Sequence, residues 1–342
     1  MKNIKNIFCF AVLLVSCCSF FGKKTGEANN MGNHLLTDTV TLRSLMLDPN
    51  PLESIIYKQT KDTALKIYYR KPANLVKGKK YPAIIWIHGG GWNAGDAKTF
   101  FPHAQYFAQR NAVGFSIEYR LIKFGGSSLA DCLADCKSAI RYIRAHAKEL
   151  NIDPDQIIVL GDSAGGHLAA CLGTIDGYDD ATDNLKISCK PNAMVLYNPC
   201  VDMSLYPLMK NVLKNKVQNI NLLDSAAIKS EDWQLARSFS PLLFIKPHTP
   251  NCYLLHGLND KVIPAEQSSR FNDAMLKAGN KSELLLLPNT RHAFVVPNYT
   301  ASEEMVVNAI CEADKYLTRL GYLSGEPTLR VSSIPSWQPR KK

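Results

Sequence analysis

The chain has 342 residues, of which 46% are hydrophobic and 20% are charged. This length and composition are sufficient for one large domain with a buried core, and they argue against a globally disordered protein. The net charge is +10, but the basic residues are scattered along the chain and no nucleic-acid-binding motif accompanies them. A nucleic-acid-binding protein is therefore disfavoured.

The first residues have the features of an export signal. Two lysines precede an apolar run over residues 7–15, which is shorter than the ~20 residues that a membrane-spanning helix needs. The run ends in LVSC, residues 14–17, which resembles the lipobox of bacterial lipoproteins. We expect residues 1–16 to be a lipoprotein signal peptide and Cys17 to carry the lipid that anchors an exported protein to a membrane, facing the periplasm or the cell surface. An ordinary secretory signal that is cut nearby is the alternative.

The sequence also predicts how the rest of the chain is divided. Residues 17–45 mix Gly, Asn, Lys and Thr with little periodicity, so we expect a tether between the lipid and the folded domain. Residues 46–325 are expected to form that domain. Residues 326–342 are polar and contain prolines, and we expect them to form a loose tail.

Short apolar runs alternate with helical stretches through the domain, which is typical of βαβ units and a mainly parallel sheet. Most of the runs are almost uniformly apolar, as strands covered on both faces should be. The runs are Ala83–Ile87, Val113–Ile117, Ile157–Leu160, Ala193–Tyr197, Cys252–Leu255 and Glu283–Leu287. A pair of extended segments, Ile55–Lys58 and Leu65–Arg70, precedes them. The pattern predicts an α/β fold with a mostly parallel central sheet and helices on both faces.

One interval between two of these strands is too long for a simple connection. It covers residues 201–240 and is predicted to be a small, cap-like helical insertion over the carboxyl edge of the sheet. Open α/β sheets bind ligands at this edge. Its apolar residues, such as Met203, Tyr206 and Trp233, either pack onto the sheet or line a pocket, and the sequence leaves both possibilities open.

A candidate nucleophile stands in the sequence GDSAG, residues 161–165, which fits G-x-S-x-G. The pattern alone is weak, but here it directly follows an apolar strand and precedes a helix-favouring segment. Strand, tight turn and helix is the arrangement that a nucleophile elbow requires, and a helix N-terminus favours developing negative charge. Ser163 is therefore the candidate nucleophile. A glycine-rich turn without chemistry is the alternative.

A serine hydroxyl needs a base, and in the elbow fold the acid and then the histidine follow the serine along the chain. His292 comes just after the last predicted strand and is the candidate base, ahead of His256 and His248. Asp260 lies in the loop after the preceding strand and is the candidate acid, which would accept a ring N–H of the histidine and stabilise the imidazolium. Asp202 is the alternative acid.

An oxyanion hole needs backbone N–H donors directed at the tetrahedral oxygen. Residues 88–92, HGGGW, follow a predicted strand and match the HGGG-type loop, which acts together with the amide after the nucleophile. Gly90, Gly91 and Ala164 are therefore the candidate donors. His88 is expected to hold the loop in place.

Four sequence blocks, in this order, resemble a known family: HGGGW…GD at 88–96, GDSAGGHLA at 161–169, LLHGLNDKVIP at 254–264 and RHAF at 291–294. The chain is similar to the α/β-hydrolase branch that contains feruloyl esterase-like and acetylxylan esterase-like enzymes (BD-FAE-like). Its neighbours are the hormone-sensitive-lipase-like esterases and the kynurenine formamidases. The hormone-sensitive-lipase-like esterases tend to carry DYRLAPE where this chain has EYRLIKF, which favours the first branch.

The resemblance implies ester hydrolysis through an acyl-enzyme, with no metal and no organic cofactor. The expected substrate is a small ester or an acylated oligosaccharide that loses an acetyl or feruloyl group. A small-molecule carboxylesterase or an arylformamidase is one alternative. A non-catalytic hydrolase-fold binding protein is a second alternative, and it is disfavoured because the chain retains all three candidate triad residues and the oxyanion glycines.

Overall fold

The computed structural model of the chain describes residues 40–122, 127–205 and 231–332. The strands, in chain order, are β1 (Val40–Thr41), β2 (Glu53–Gln59), β3 (Ala64–Arg70), β4 (Tyr81–Ile87), β5 (Val113–Ile117), β6 (Ile152–Asp162), β7 (Ala193–Tyr197), β8 (Asn251–Gly257), β9 (Ser282–Leu287) and β10 (Leu329–Arg330). The α-helices are α1 (Leu42–Met46), α2 (Phe101–Gln109), α3 (Leu129–Ala145), α4 (Ala147–Leu150), α5 (Ala164–Thr174), α6 (Glu231–Ser238), α7 (Glu266–Lys277) and α8 (Glu303–Arg319). The predicted signal peptide and Cys17 lie outside the described residues.

A central sheet runs in the order β2-β3-β5-β4-β6-β7-β8-β9. β3 is antiparallel to β2 and to β5, and every pair from β5 to β9 in this order is parallel. β4, β5 and β7 are buried at every position, as expected of strands that are covered on both faces. The predicted α/β fold with a mostly parallel sheet is confirmed.

Alternate side chains of the strands enter two separate apolar cores. On one face, Ile85 and Ile87 of β4 belong to the core that also contains residues of α3, α5 and α7. On the other face, Ile84 and Trp86 belong to the core that contains residues of α1, α2 and α8. Full burial of each such side chain contributes roughly 1.5–3 kcal/mol. This burial on both faces holds the sheet in place. Because the strands from β5 to β9 are parallel, the loops that follow them all emerge at one edge of the sheet.

The two ends of the domain are more ordered than the sequence predicts. β1 pairs in parallel with β10, and Leu42, Leu45 and Leu329 are buried. The predicted tether therefore does not extend to residue 45, and the predicted tail does not begin at 326. Both expectations are wrong at these positions because a few leucines in polar surroundings reach the apolar face between α2 and α8.

Two further properties concern the whole of the described chain. No helix within it is long and apolar enough to cross a membrane. The cysteines within it are free thiols, and Cys132, Cys136, Cys171 and Cys252 are buried. These four thiols lie in apolar surroundings, and burial raises the pKa of each of them.

Candidate active site

The predicted nucleophile elbow is present. Ser163 directly follows β6 and directly precedes α5. Its backbone has φ 54° and ψ −117°, a conformation that costs a non-glycine residue about 1–3 kcal/mol. Gly165 lets the turn approach β4, because a Cβ atom at this position would overlap the carbonyl oxygen of Ile87. The sharp turn holds the Ser163 side chain at the carboxyl edge of the sheet.

Three side chains from the loops after β6, β8 and β9 meet at this edge. Ser163 Oγ lies 2.9 Å from His292 Nε2, and His292 Nδ1 lies 2.6 Å from Asp260 Oδ2. Because an ionised carboxylate only accepts hydrogen bonds, His292 Nδ1 carries a proton and Nε2 is free to accept the proton of the Ser163 hydroxyl. The structure therefore brings together the three residues that the sequence selected, in an order that can activate the serine.

The environment of Asp260 keeps its carboxyl group ionised. Asp260 Oδ1 accepts the backbone N–H groups of Val262 at 2.8 Å and Ile263 at 2.9 Å. Asp260 Oδ2 faces His292 and, at 3.4 Å, His256 Nε2. Burial alone would raise the pKa of Asp260, but the hydrogen bonds from His256 and His292 outweigh it, so the pKa lies below its ordinary value. Asp260 can therefore stabilise a positive charge on His292.

The alternative acid and the alternative histidine have other partners. Asp202 Oδ1 accepts the backbone N–H of Ser204, and Asp202 Oδ2 lies 3.0 Å from Arg270 Nη1. His256 is fully buried and bonds to Ser268 and to the backbone of the Asp260 loop. Within the part of the chain that the structure describes, His292 is the histidine that bonds to Ser163.

The predicted oxyanion loop lies beside Ser163. Gly90 and Gly91 have φ values of 119° and 59°, which favour glycine, and both residues line the same cleft as Ser163. Ala164 is the first residue of α5, where backbone N–H groups have no partner within the helix. Gly89, which was not selected, is also close, since a Cβ atom there would lie 3.2 Å from Ser163 Cβ.

His88 holds this loop, as expected. Its Nδ1 lies 2.8 Å from the carbonyl oxygen of Gly89, and its ring stacks on Tyr119 with 4.4 Å between the ring centres. The Tyr119 hydroxyl donates to the His88 carbonyl oxygen at 2.8 Å. Burial lowers the pKa of His88, so the ring is neutral and donates to the carbonyl of Gly89.

Two buried polar residues beside the triad, Asp162 and Asn198, were not identified from the sequence. Asn198 Nδ2 donates to Asp162 Oδ1 at 3.0 Å, and Asn198 Oδ1 accepts the backbone N–H of Ala293 at 3.2 Å. Burial raises the pKa of Asp162 to about 6. Their positions gave a signal, because Asp162 ends β6 and Asn198 directly follows the neighbouring β7, so both lie at the edge where the triad forms.

Ser163 and His292 open into a cleft of about 1100 Å³, which is slightly larger than the ~300–1,000 Å³ typical of small-molecule sites. Its walls come from the glycine loop, from the chain before β2, from the segment that begins α2 and from residues 296–299. The described residues of the predicted insertion, 201–205 and 231–240, do not line it.

The described ends of the insertion pack instead of lining the cleft. Met203 is 1% exposed and belongs to a core cluster. Trp233 is half-buried, and the guanidinium carbon of Arg237 lies 4.6 Å from the centre of its ring. Tyr206 lies outside the described residues. For Met203 the structure therefore favours the packing interpretation.

The parallel sheet, the serine on a strained strand-to-helix turn and the acid–histidine pair on later loops define an α/β-hydrolase with a serine-hydrolase site. Comparison with known protein families then identifies the branch. A family model described as BD-FAE matches residues 65–275, and the chain belongs to this family. The fold class and the family resemblance expected from the sequence are confirmed.

Several of the curated relatives are esterases. The chain is 26% identical over 278 residues to Esterase LipQ of Mycobacterium tuberculosis, a match that covers 78% of this chain and 63% of the relative. It is 25% identical over 215 residues to an acetylxylan esterase of Xylanibacter ruminicola, which covers 62% of this chain and 41% of the relative. The chain thus spans about half the length of the curated relatives that it matches.

Solved structures of esterases match this chain over a greater share of their own length than the curated relatives do. A thermophilic esterase, Est2 of Thermogutta terrifontis with bound propionate, has a TM-score of 0.71 and 31% identity to this chain. The match covers 82% of this chain and 98% of that one. The chain is therefore similar to esterases over most of its length.

Proposed function

We propose that the protein hydrolyses carboxylic esters through an acyl-enzyme formed on Ser163. The observation that carries this proposal is the hydrogen-bonded series of Ser163, His292 and Asp260 at an open cleft. Ser163 Oγ attacks the ester carbonyl carbon while His292 Nε2 takes its proton, and the Asp260 carboxylate stabilises the imidazolium. The amide groups of the glycine loop and of Ala164 donate to the oxyanion.

The second half of the reaction reuses the same groups. His292 gives its proton to the alcohol oxygen as the ester C–O bond breaks, so the alcohol leaves and the acyl group remains on Ser163. A water molecule then gives a proton to His292 and attacks the acyl carbon. Breakdown of this second tetrahedral intermediate returns the proton to Ser163 Oγ and releases the carboxylic acid.

For the substrate, we propose acetyl or feruloyl esters of carbohydrates. The acetylxylan esterase among the relatives and the Est2 structures with propionate and butyrate support a short acyl group. The size of the cleft and its polar lining residues, among them Asp48, Asn50 and Gln105, support an alcohol that carries hydroxyl groups. A second candidate is a small non-sugar ester, which the similarity to an isoprenylcysteine methylesterase of Arabidopsis thaliana favours.

A substrate panel with the wild type and Ser163→Ala tests both the proposed nucleophile and the proposed substrate class. The panel contains acetylated xylan fragments, methyl ferulate, p-nitrophenyl acetate and N-formylkynurenine. We expect turnover of the first three by the wild type and a loss of several orders of magnitude in the variant, because triad residues act as a unit. A fluorophosphonate probe should label the wild type at Ser163 alone.

Two results would contradict the proposal. Retention of more than about a tenth of the activity by a folded Ser163→Ala protein would remove Ser163 as nucleophile, given the size of triad effects. Preferential turnover of N-formylkynurenine would favour the arylformamidase alternative over a carbohydrate esterase.

We also propose that the protein is exported and anchored through a lipid on Cys17. The charged and apolar segments before Cys17 and the lipobox-like LVSC support this. Cys17→Ser should move the protein from the detergent phase to the aqueous phase, whereas the adjacent Cys18→Ser should not. Unchanged partitioning of Cys17→Ser would favour simple secretion.

A further inference from the structure

The chain before β2 forms one wall of the cleft that contains Ser163. We call residues 40–52, which comprise β1, α1 and the following turn, the arm. Leu45, Met46 and residues 48–52 of the arm line the cleft. The arm is therefore close enough to contact whatever part of the substrate extends beyond the ester group.

The arm is held in place at both ends. At its start, β1 pairs with β10, and Leu42 of α1 is fully buried. At its end, Arg70 Nη2 donates to the carbonyl oxygens of Asn50 at 2.6 Å and Pro51 at 3.2 Å. A wall that is fixed in this way can present its polar groups in a defined geometry, which is what selective binding requires.

The polar groups of the arm centre on Asp48. Its Oδ1 accepts the backbone N–H and the side-chain amide of Asn50, both at 2.9 Å. Its Oδ2 accepts Nε2 of Gln105, a residue of α2, at 3.0 Å. Because a carboxylate only accepts, this contact fixes the orientation of the Gln105 amide and directs its Oε1 away from Asp48.

Gln105 Oε1 is left without a hydrogen-bond donor among the described residues. Gln105 is 5% exposed and lines the cleft. Gln105 Oε1 has almost no accessible surface, so the contribution of Gln105 to the cleft is the hydrogen bond from Nε2 that holds the Asp48 carboxylate. The surrounding cleft residues add donors from Lys98 and Asn50 and apolar faces from Pro49 and Phe101.

We propose that the arm, with Lys98, forms a subsite for the hydroxylated part of the ester substrate, and that Gln105 positions the Asp48 carboxylate of this subsite. This inference rests on the proposed ester hydrolysis and assigns the recognition of its sugar moiety. A sugar ring offers hydroxyl groups that donate and accept, and C–H faces that pack against proline and aromatic side chains. Such a ring matches the arm in both respects, and one of its hydroxyl groups donates to the carboxylate of Asp48, which lines the cleft and is held in place by Gln105.

Two substrates that share an acetyl group but differ in the alcohol test the subsite. One is an acetylated xylo-oligosaccharide, and the other is p-nitrophenyl acetate, whose leaving group carries no further hydroxyl. Gln105→Leu removes the hydrogen bond that holds the Asp48 carboxylate. Asn50→Trp, at an exposed position, narrows the cleft without disturbing the core. Gln109→Leu is the matched control, because Gln109 is exposed at the end of the same helix and lies outside the cleft.

We expect Gln105→Leu and Asn50→Trp to lower kcat/KM for the oligosaccharide ester ~10–200-fold more than for p-nitrophenyl acetate. Gln109→Leu should leave the ratio of the two values at the wild-type level. Equal losses on both substrates in both variants would overturn the subsite while leaving the esterase function intact. A wild type that hydrolyses p-nitrophenyl acetate but no sugar ester would overturn the proposed carbohydrate substrate and the subsite with it.

Discussion

The side-chain nitrogen of Asn198 donates to the carboxylate of Asp162 at 3.0 Å, and the oxygen of the same amide accepts the backbone N–H of Ala293. Asp162 directly precedes the proposed nucleophile, and Ala293 directly follows the proposed base. One buried amide therefore joins the elbow to the histidine loop, which fixes the distance between Ser163 and His292.

We expect Asp162→Asn to stabilise the protein above pH 6 and to reduce kcat. Burial raises the pKa of Asp162 from 3.8 to about 6. Its contribution to stability is therefore fully present below about pH 4 and is lost as the pH rises through the folded-state value. The asparagine cannot ionise, so the gain in Tm should be larger at pH 8 than at pH 4. The loss in kcat follows because the negative charge beside His292 is removed.

Thermal unfolding at both pH values, together with kcat at pH 8, measures these effects. Asp155→Asn is the control, since Asp155 is an exposed carboxylate on the same strand. An equal change in Tm at pH 4 and pH 8 would show that the Asp162 carboxyl is not destabilised by burial.

His256 is expected to act on the reaction by positioning Asp260. His256 Nε2 lies 2.9 Å from the carbonyl oxygen of Ile263 and 3.4 Å from Asp260 Oδ2, and Nδ1 lies 2.7 Å from Ser268 Oγ. The carbonyl only accepts, so Nε2 donates and the Ser268 hydroxyl can donate to Nδ1. Loss of a hydrogen bond to a charged group costs about 1.5–3 kcal/mol, so His256→Leu should lower kcat roughly 10–100-fold with little change in KM.

A conservative variant separates positioning from general destabilisation. His256→Gln keeps a donor near Nε2 and should restore most of kcat, and Ser268→Ala should have the smaller effect because it removes only the contact at Nδ1. If the leucine and glutamine variants are equally impaired and equally destabilised, His256 only fills the core.

The choice between the two acids can be tested directly. Asp260→Asn should leave the fold intact and lower kcat by up to ~10⁴-fold, because an amide nitrogen facing His292 favours the wrong tautomer. Asp202→Asn should leave kcat near the wild-type value, since the Asp202 carboxylate bonds to Ser204 and Arg270 rather than to His292. The kcat values of the two variants measure the effect on the reaction, and their circular dichroism spectra show whether each variant is folded. The reverse ranking would assign the acid to Asp202.

The triad could be predicted because each member has a local signal. Ser163, Asp260 and His292 each follow a strand that is visible as an apolar run, and parallel strands bring their following loops to one edge. Chain order then assigns the roles. Asp162 had the same signal, but its link to His292 depends on a side chain from a third loop, that of Asn198.

The features that the sequence did not reveal depend on contacts between distant residues. The sequence around His103 shows no partner pattern, so nothing in it indicates that this histidine belongs to the core. The side chain is fully buried, its Nε2 lies 3.0 Å from the carbonyl oxygen of Val295, and burial lowers its pKa to about 3. The arm is similar, because its place in the cleft wall depends on β10, almost 300 residues further along the chain.

Met203→Ala tests whether the start of the predicted insertion affects specificity. Met203 is 1% exposed in a core cluster and does not line the cleft. Its truncation leaves a cavity, so we expect the free energy of unfolding to fall by about 2–5 kcal/mol. Activity on acetyl and feruloyl esters should fall by the same factor, because the loss of folded protein affects all substrates equally.

Chemical denaturation and kcat/KM for both esters measure the two effects, with Trp233→Ala as the comparison at a half-buried position. A changed ranking of the two esters in Met203→Ala, with stability near the wild-type value, would show that this segment contributes to substrate selection.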